Sequence, residues 1–190
     1  MGLNQWFAKG MTTKEYIDGM KVNQEGLLAI HDQFALSQED LVFYHSLRER
    51  DLRAVVLTAD WCGDAMLCVP ILIKIAEEAM ISLRFLNRDD HLDLMDQYLT
   101  NGKSRSIPIM IFIDAEGNEQ AVWGPRAPEV QQLLEEVRST LPDPADEEFA
   151  TKQKEMYRAF KYEIKRNPEY WEAVNCSIRE RLEATSTLIR

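Results

Sequence analysis

The chain is poor in cysteine and histidine. Cys62, Cys68 and Cys176 are its three cysteines, an odd number spread widely through 190 residues. That argues against the disulfide framework of a small secreted domain. The three histidines, His31, His45 and His91, form no ligand pattern with them, so no metal site is expected. Long apolar runs are also missing: none nears the roughly 18 residues needed to cross a bilayer. Met1 to Met20 has no apolar stretch behind a basic start, so it does not read as a signal peptide, and a cytoplasmic location is expected. There is no basic excess either. The 22 Lys and Arg face 32 Asp and Glu, for a formal net charge of −10. Such acidity argues against a general nucleic-acid or anionic-membrane surface.

What the chain does hold is enough apolar sequence, 45% of its residues, to bury one substantial core. Its charge is uneven. From residue 143 onward there are 10 acids and 9 bases, so the acidic excess lies ahead of a nearly neutral tail. At the junction, Leu141-Pro-Asp-Pro-Ala145 has two prolines too close together for a continuing helix. Three units are expected: an N-terminal helical extension over 1–36, a central domain over 37–142 and a C-terminal helical extension over 143–190.

Residues 1 to 35 read as two short helices, with Thr12 and Glu15 as a capping box and Asn23 capping the run that holds Leu27, Leu28, Ile30 and Phe34. Ser37 with Asp40 opens another helix. Arg53-Ala-Val-Val-Leu-Thr-Ala59 suits a strand buried on both faces. A long helix is expected from about Gly63 to Met80, a strand over Ile81 to Leu86, and a short helix over Leu92 to Leu99. Pro108 to Asp114 and Glu119 to Trp123 read as a hairpin around Gly117 and Asn118, and Pro128 to Leu141 as an amphipathic helix. This order predicts an α/β fold, a central mixed sheet flanked by helices. In the tail, Asp146 to Arg166 reads as helix. Asn167-Pro168 breaks and restarts it, leaving Trp171, Val174, Ile178 and Leu182 as an apolar stripe.

The first strand runs into Asp60-Trp-Cys-Gly-Asp-Ala-Met-Leu-Cys-Val-Pro70. A cysteine at a strand-to-helix junction sits among unpaired amides at a helix N-terminus, which favour the thiolate that attacks in thiol–disulfide exchange. This segment resembles the active site of the thioredoxin superfamily, where Trp-Cys-Gly-Pro-Cys precedes a proline-kinked helix. Trp61, Cys62, Gly63 and Pro70 match. Ser106-Ile107-Pro108 ahead of an apolar strand resembles the family's cis-proline loop, and Gly124 fits its glycine position. The resemblance covers about residues 38 to 141 and implies a thioredoxin fold. It makes Cys62 the catalytic candidate and places Trp61, Gly63, Ile107 and Pro108 on the substrate side.

The departures matter for function. Ala65 stands where the family has the resolving cysteine, Asp64 where it has proline, and Val56 where it has a buried aspartate. Cys68 lies about 9 Å up the helix from Cys62 at 1.5 Å per residue, beyond the roughly 7 Å Cα separation that a disulfide tolerates. It reads as a core cysteine. Asp60 and Asp64 oppose the helix terminus, and the two effects nearly cancel, so a mildly reactive Cys62 is expected. Trp123 reads as core or rim. Arg88-Asp89-Asp90-His91 reads as a solvated loop, and Lys154, Arg158, Lys161 and Lys165 as a solvated helix face.

Two functions remain open from these residues. One is monothiol thiol–disulfide exchange through Cys62, on a protein or low-molecular-weight substrate, resolved by an external thiol. The other is a redox-silent protein-binding module using the same groove. No metal or organic cofactor is implied, and the apolar stripe of the C-terminal helices requires a surface on this domain, a second copy or a partner.

Overall fold

The computed structural model describes residues 1–186, so the last four positions of the expected C-terminal extension lie outside the described residues. The β-branched run Arg53–Thr58 forms β1, the centre of a four-stranded sheet. Its residues Ala54 to Leu57 are fully buried, as expected of a strand covered on both faces. β2 (Ser82–Asn87) pairs parallel with β1; β3 (Ile109–Ile113) pairs antiparallel on the other side, and β4 (Glu119–Trp123) completes the order β2-β1-β3-β4. The β3–β4 turn is held by Asp114, whose Oδ1 accepts from the Asn118 amide at 2.8 Å.

Helices follow their sequence signals. α1 (Leu3–Lys9), α2 (Thr13–Gly19) and α3 (Gln24–Gln33) occupy the N-terminal segment, three helices rather than two; at the start of α1 the Gln5 side-chain oxygen accepts the Gly2 amide at 3.0 Å. Asn23 sits at the N-cap of α3 in the left-handed region, but its side chain caps nothing; its Nδ2 donates to the Asp60 carbonyl at 2.8 Å. Met11, between α1 and α2, exchanges backbone hydrogen bonds with Phe85, so this segment adds a bridge to the β2 edge. α4 (Gln38–Ser46) carries the Ser37–Asp40 capping box.

α5 (Gly63–Ala79) is the central helix. From Asp64 to Ile73 every residue is buried, as a helix apolar nearly all round must be. The sheet covers one side; α3, α4, α8 (Phe149–Arg166) and α9 (Pro168–Ser186) pack on the others. α6 (Leu92–Met95) is a single turn, shorter than the apolar spacing suggests, and it gives way to turns before Thr100. α7 is Pro128–Ser139.

The Asn167-Pro168 restart is realised: Asn167 Oδ1 accepts the Glu169 amide at 3.0 Å, and Trp171 Nε1 donates back to the Ile164 carbonyl at 2.9 Å. Trp171, Val174, Ile178 and Leu182 are all buried, so the tail's apolar stripe closes on its own chain. One continuous cluster runs from Trp6 through the sheet to Leu182. Among the described residues no helix is long and apolar enough to cross a membrane.

Candidate functional site

Cys62 lies at the mouth of the fold, where β1 ends and α5 begins, and it is the N-cap of α5. Its Sγ accepts from the Ala65 amide at 3.5 Å and donates to the Ile107 carbonyl at 3.4 Å. The residue is only 8% exposed. Burial, reinforced by the charge of Asp64, pushes the thiol up to about 11; the amides of Ala65 and Asp64, and Arg126, pull the other way and lose. The expected near-balance between helix terminus and flanking acids is therefore corrected. Desolvation is the largest effect, and it arises from residues far away in sequence.

The two acids also behave differently from two exposed carboxylates. Asp60 turns away and accepts from the amides of Lys21 and Val22 at 2.7 and 3.2 Å, tethering the segment ahead of α3. Asp64 is buried and takes the Arg126 Nη2 donor at 2.6 Å. Arg126 holds the Asp64 carboxyl down, but burial pushes it up more. At the positions of the family's resolving cysteine and buried aspartate, Ala65 and Val56 are packed with essentially no exposure. Cys68 is fully buried, and its thiol is pushed well above the usual cysteine range by desolvation. All three cysteines are free thiols.

The remaining sequence candidates divide by exposure. Trp61 is half exposed, with the Arg88 guanidinium over its ring at 4.7 Å. Gly63 is half-buried and faces the Lys161 side chain. Ile107 and Pro108 are buried, joined by a cis peptide. Gly124, at φ +132°, lies so close to this loop that an added Cβ would sit 2.2 Å from the Pro108 carbonyl oxygen. Trp123 is core, and its Nε1 donates to Ser177 of α9 at 2.9 Å. The Arg88–His91 stretch is a short 3₁₀ turn braced internally by Arg88–Asp89 and Asn87–Asp90 contacts. Among the described residues no group of three His, Cys, Asp or Glu is placed to hold a metal ion.

Sequence reasoning missed the cover over the site. α8 lies across the start of α5, and between them is a cavity of about 440 Å³ walled by Trp61, Cys62, Arg126, Arg158, Phe160 and Lys161. The basic stripe of α8 is thus not uniformly a solvated face. Arg158 and Lys161 line the cavity, and Lys161 Nζ donates to Asn23 Oδ1 at 3.1 Å. Their helical spacing was visible in the sequence. Where α8 docks was not.

The class defined by this sheet, helix and loop arrangement agrees with the comparisons. The thioredoxin family matches residues 10–138. The chain belongs to the thioredoxin family. A comparison with curated protein sequences finds no match. The chain is similar in structure to a protein of unknown function, PA1234, from Pseudomonas aeruginosa: 16% identity, TM-score 0.71, covering 97% of this chain and 98% of that one. It is also similar to an HIV epitope scaffold: 16% identity, TM-score 0.63, covering 95% and 99%. At that identity both likenesses concern the fold.

Proposed function

We propose that this chain is a redox-silent thioredoxin-fold binding module, in which Cys62 is kept as a thiol and the surface around Trp61 meets a partner. The observation that carries this reading is the state of Cys62: 8% exposed, bonded to the Ile107 carbonyl, and with its thiol pushed up to about 11. At pH 7 such a thiol is ionised in about one molecule in 10,000. Exchange needs a thiolate with access to a disulfide sulfur, and both requirements are weakened here. Ile107 and Pro108, which would seat an extended substrate, are themselves covered.

Monothiol exchange, with an external thiol resolving the mixed disulfide, is the second reading. It is favoured by the N-cap position of Cys62 on a 17-residue helix with an amide aimed at its sulfur. A disulfide-reduction assay with added small thiol, run on the wild type and Cys62→Ser, separates the two. The binding-module reading expects equal, background turnover in both proteins. Turnover that disappears in Cys62→Ser overturns it in favour of monothiol exchange.

A further inference from the structure

We propose that the cavity between α8 and the start of α5 is a binding site for a small organic anion with a planar or apolar body. The argument begins with charge. The protein carries a formal net charge of −10, and several of its cations meet carboxylates: Arg105 pairs with Asp96, Arg48 with Glu78, and Arg179 with Glu39, Asp40 and Glu183. In this acidic protein the cavity gathers more cations than acids. Arg126, Arg158 and Lys161 line it with one acid, Asp64. Asp64 already serves Arg126. Lys161 donates to Asn23, a neutral partner that leaves its charge uncompensated. Arg158 is exposed and makes no ion pair among the described residues. A further cation, Arg138, stacks on Tyr157 at the cavity rim, 5.6 Å from the ring centre. Clustered cations between low-dielectric walls concentrate anions.

Shape and wall chemistry agree with charge. A volume of about 440 Å³ falls within the ordinary range for small-molecule sites, roughly 300–1,000 Å³. Trp61, Tyr157, Phe160 and Leu134 supply apolar and aromatic wall, while the cations supply orientation. In the wall, Asp64 is held by the Arg126 Nη2 donor at 2.6 Å, which fixes the Arg126 guanidinium at the cavity. The ligand class follows: a carboxylate, sulfonate or phosphate end toward Arg158 and Lys161, and a flat or apolar part beside Trp61. The site holds whichever way the exchange assay on Cys62 falls, because it uses no chemistry at sulfur.

The test uses the full chain and two fluorescent probes of similar shape. 8-Anilinonaphthalene-1-sulfonate is an aromatic anion; N-phenyl-1-naphthylamine lacks the charge. The expected result for the wild type is saturable one-to-one binding of the sulfonate. In Arg158→Ala/Lys161→Ala its affinity falls about tenfold or more, while that of the uncharged probe changes less than about twofold. Lys154→Ala/Arg166→Ala, on the same helix but outside the cavity wall, retains wild-type affinity for the sulfonate. The charge-conserving Arg158→Lys/Lys161→Arg chain restores binding, which separates loss of charge from loss of structure. Equal loss of both probes, equal loss in the control variant, or no saturable binding of the sulfonate overturns the proposal.

Discussion

Cys62 shows how one side chain takes its chemistry from two opposing fields. The helix terminus offers amides that stabilise a thiolate, a contribution of about 0.3–1 kcal/mol. Removal from water acts against the charge and prevails, and Asp64 adds to it. The consequence for stability has a definite sign. Cys62 ionises near 9 when unfolded and near 11 when folded, so the unfolded chain loses its proton first. The stability linked to this residue is complete below pH 9 and lost progressively between pH 9 and pH 11. The two-unit difference sets the maximum at about 2–3 kcal/mol. Tyr16, pushed up to about 12, acts in the same direction at higher pH, so the comparison must isolate the cysteine. Urea unfolding of wild type and Cys62→Ala at pH 7.5 and 10.5 does so: the wild type loses more stability than the variant over that interval. An unchanged difference between the two would mean that the thiol is not held out of water.

At the scale of elements, the site depends on a loop-to-loop approach that only glycine permits. Gly124 follows β4 at φ +132°, with the Pro108 carbonyl in the space of its missing Cβ. Gly124→Ala is expected to cost at least about 2 kcal/mol, through backbone strain and displacement of the Ile107–Pro108 loop that holds the Cys62 thiol. Gly63→Ala is the matched control. Its added Cβ would meet Lys161 at 3.6 Å, an ordinary contact, and is expected to change stability by less than about 0.5 kcal/mol. Denaturant midpoints with unchanged slopes measure both, and similar midpoints for the two variants would count against the close-approach argument.

Across the whole molecule, α8 and α9 complete the core, and α8 lies across the start of α5. α9 buries Trp171, Val174, Ile178 and Leu182 and is tied to α4 by Tyr44, whose hydroxyl donates to Asn175 Oδ1 at 2.8 Å. A chain ending at Leu141 would expose the outer side of α5, which is apolar nearly all round. It is expected to lose its cooperative unfolding transition and to scatter light as an associated species. A monomer with the wild-type melting temperature would show instead that the tail is dispensable for the core. Much of this architecture was legible in sequence because its causes are local. β-Branched residues favour β1, Ser37 and Asp40 cap α4, and Asn167-Pro168 restarts the chain into α9. The matches at Trp61, Cys62, Gly63, Pro70 and Ile107-Pro108 identified the fold by resemblance. The state of Cys62 was not legible. Desolvation sums over atoms that packing brings near, such as the Ile107 carbonyl, 45 residues along the chain and 3.4 Å from the sulfur. The same holds for Arg126, Arg158 and Lys161. Sequence alone determined that a helical stripe carries positive charge; only the docking of α8 decided that part of it faces the cysteine instead of open water.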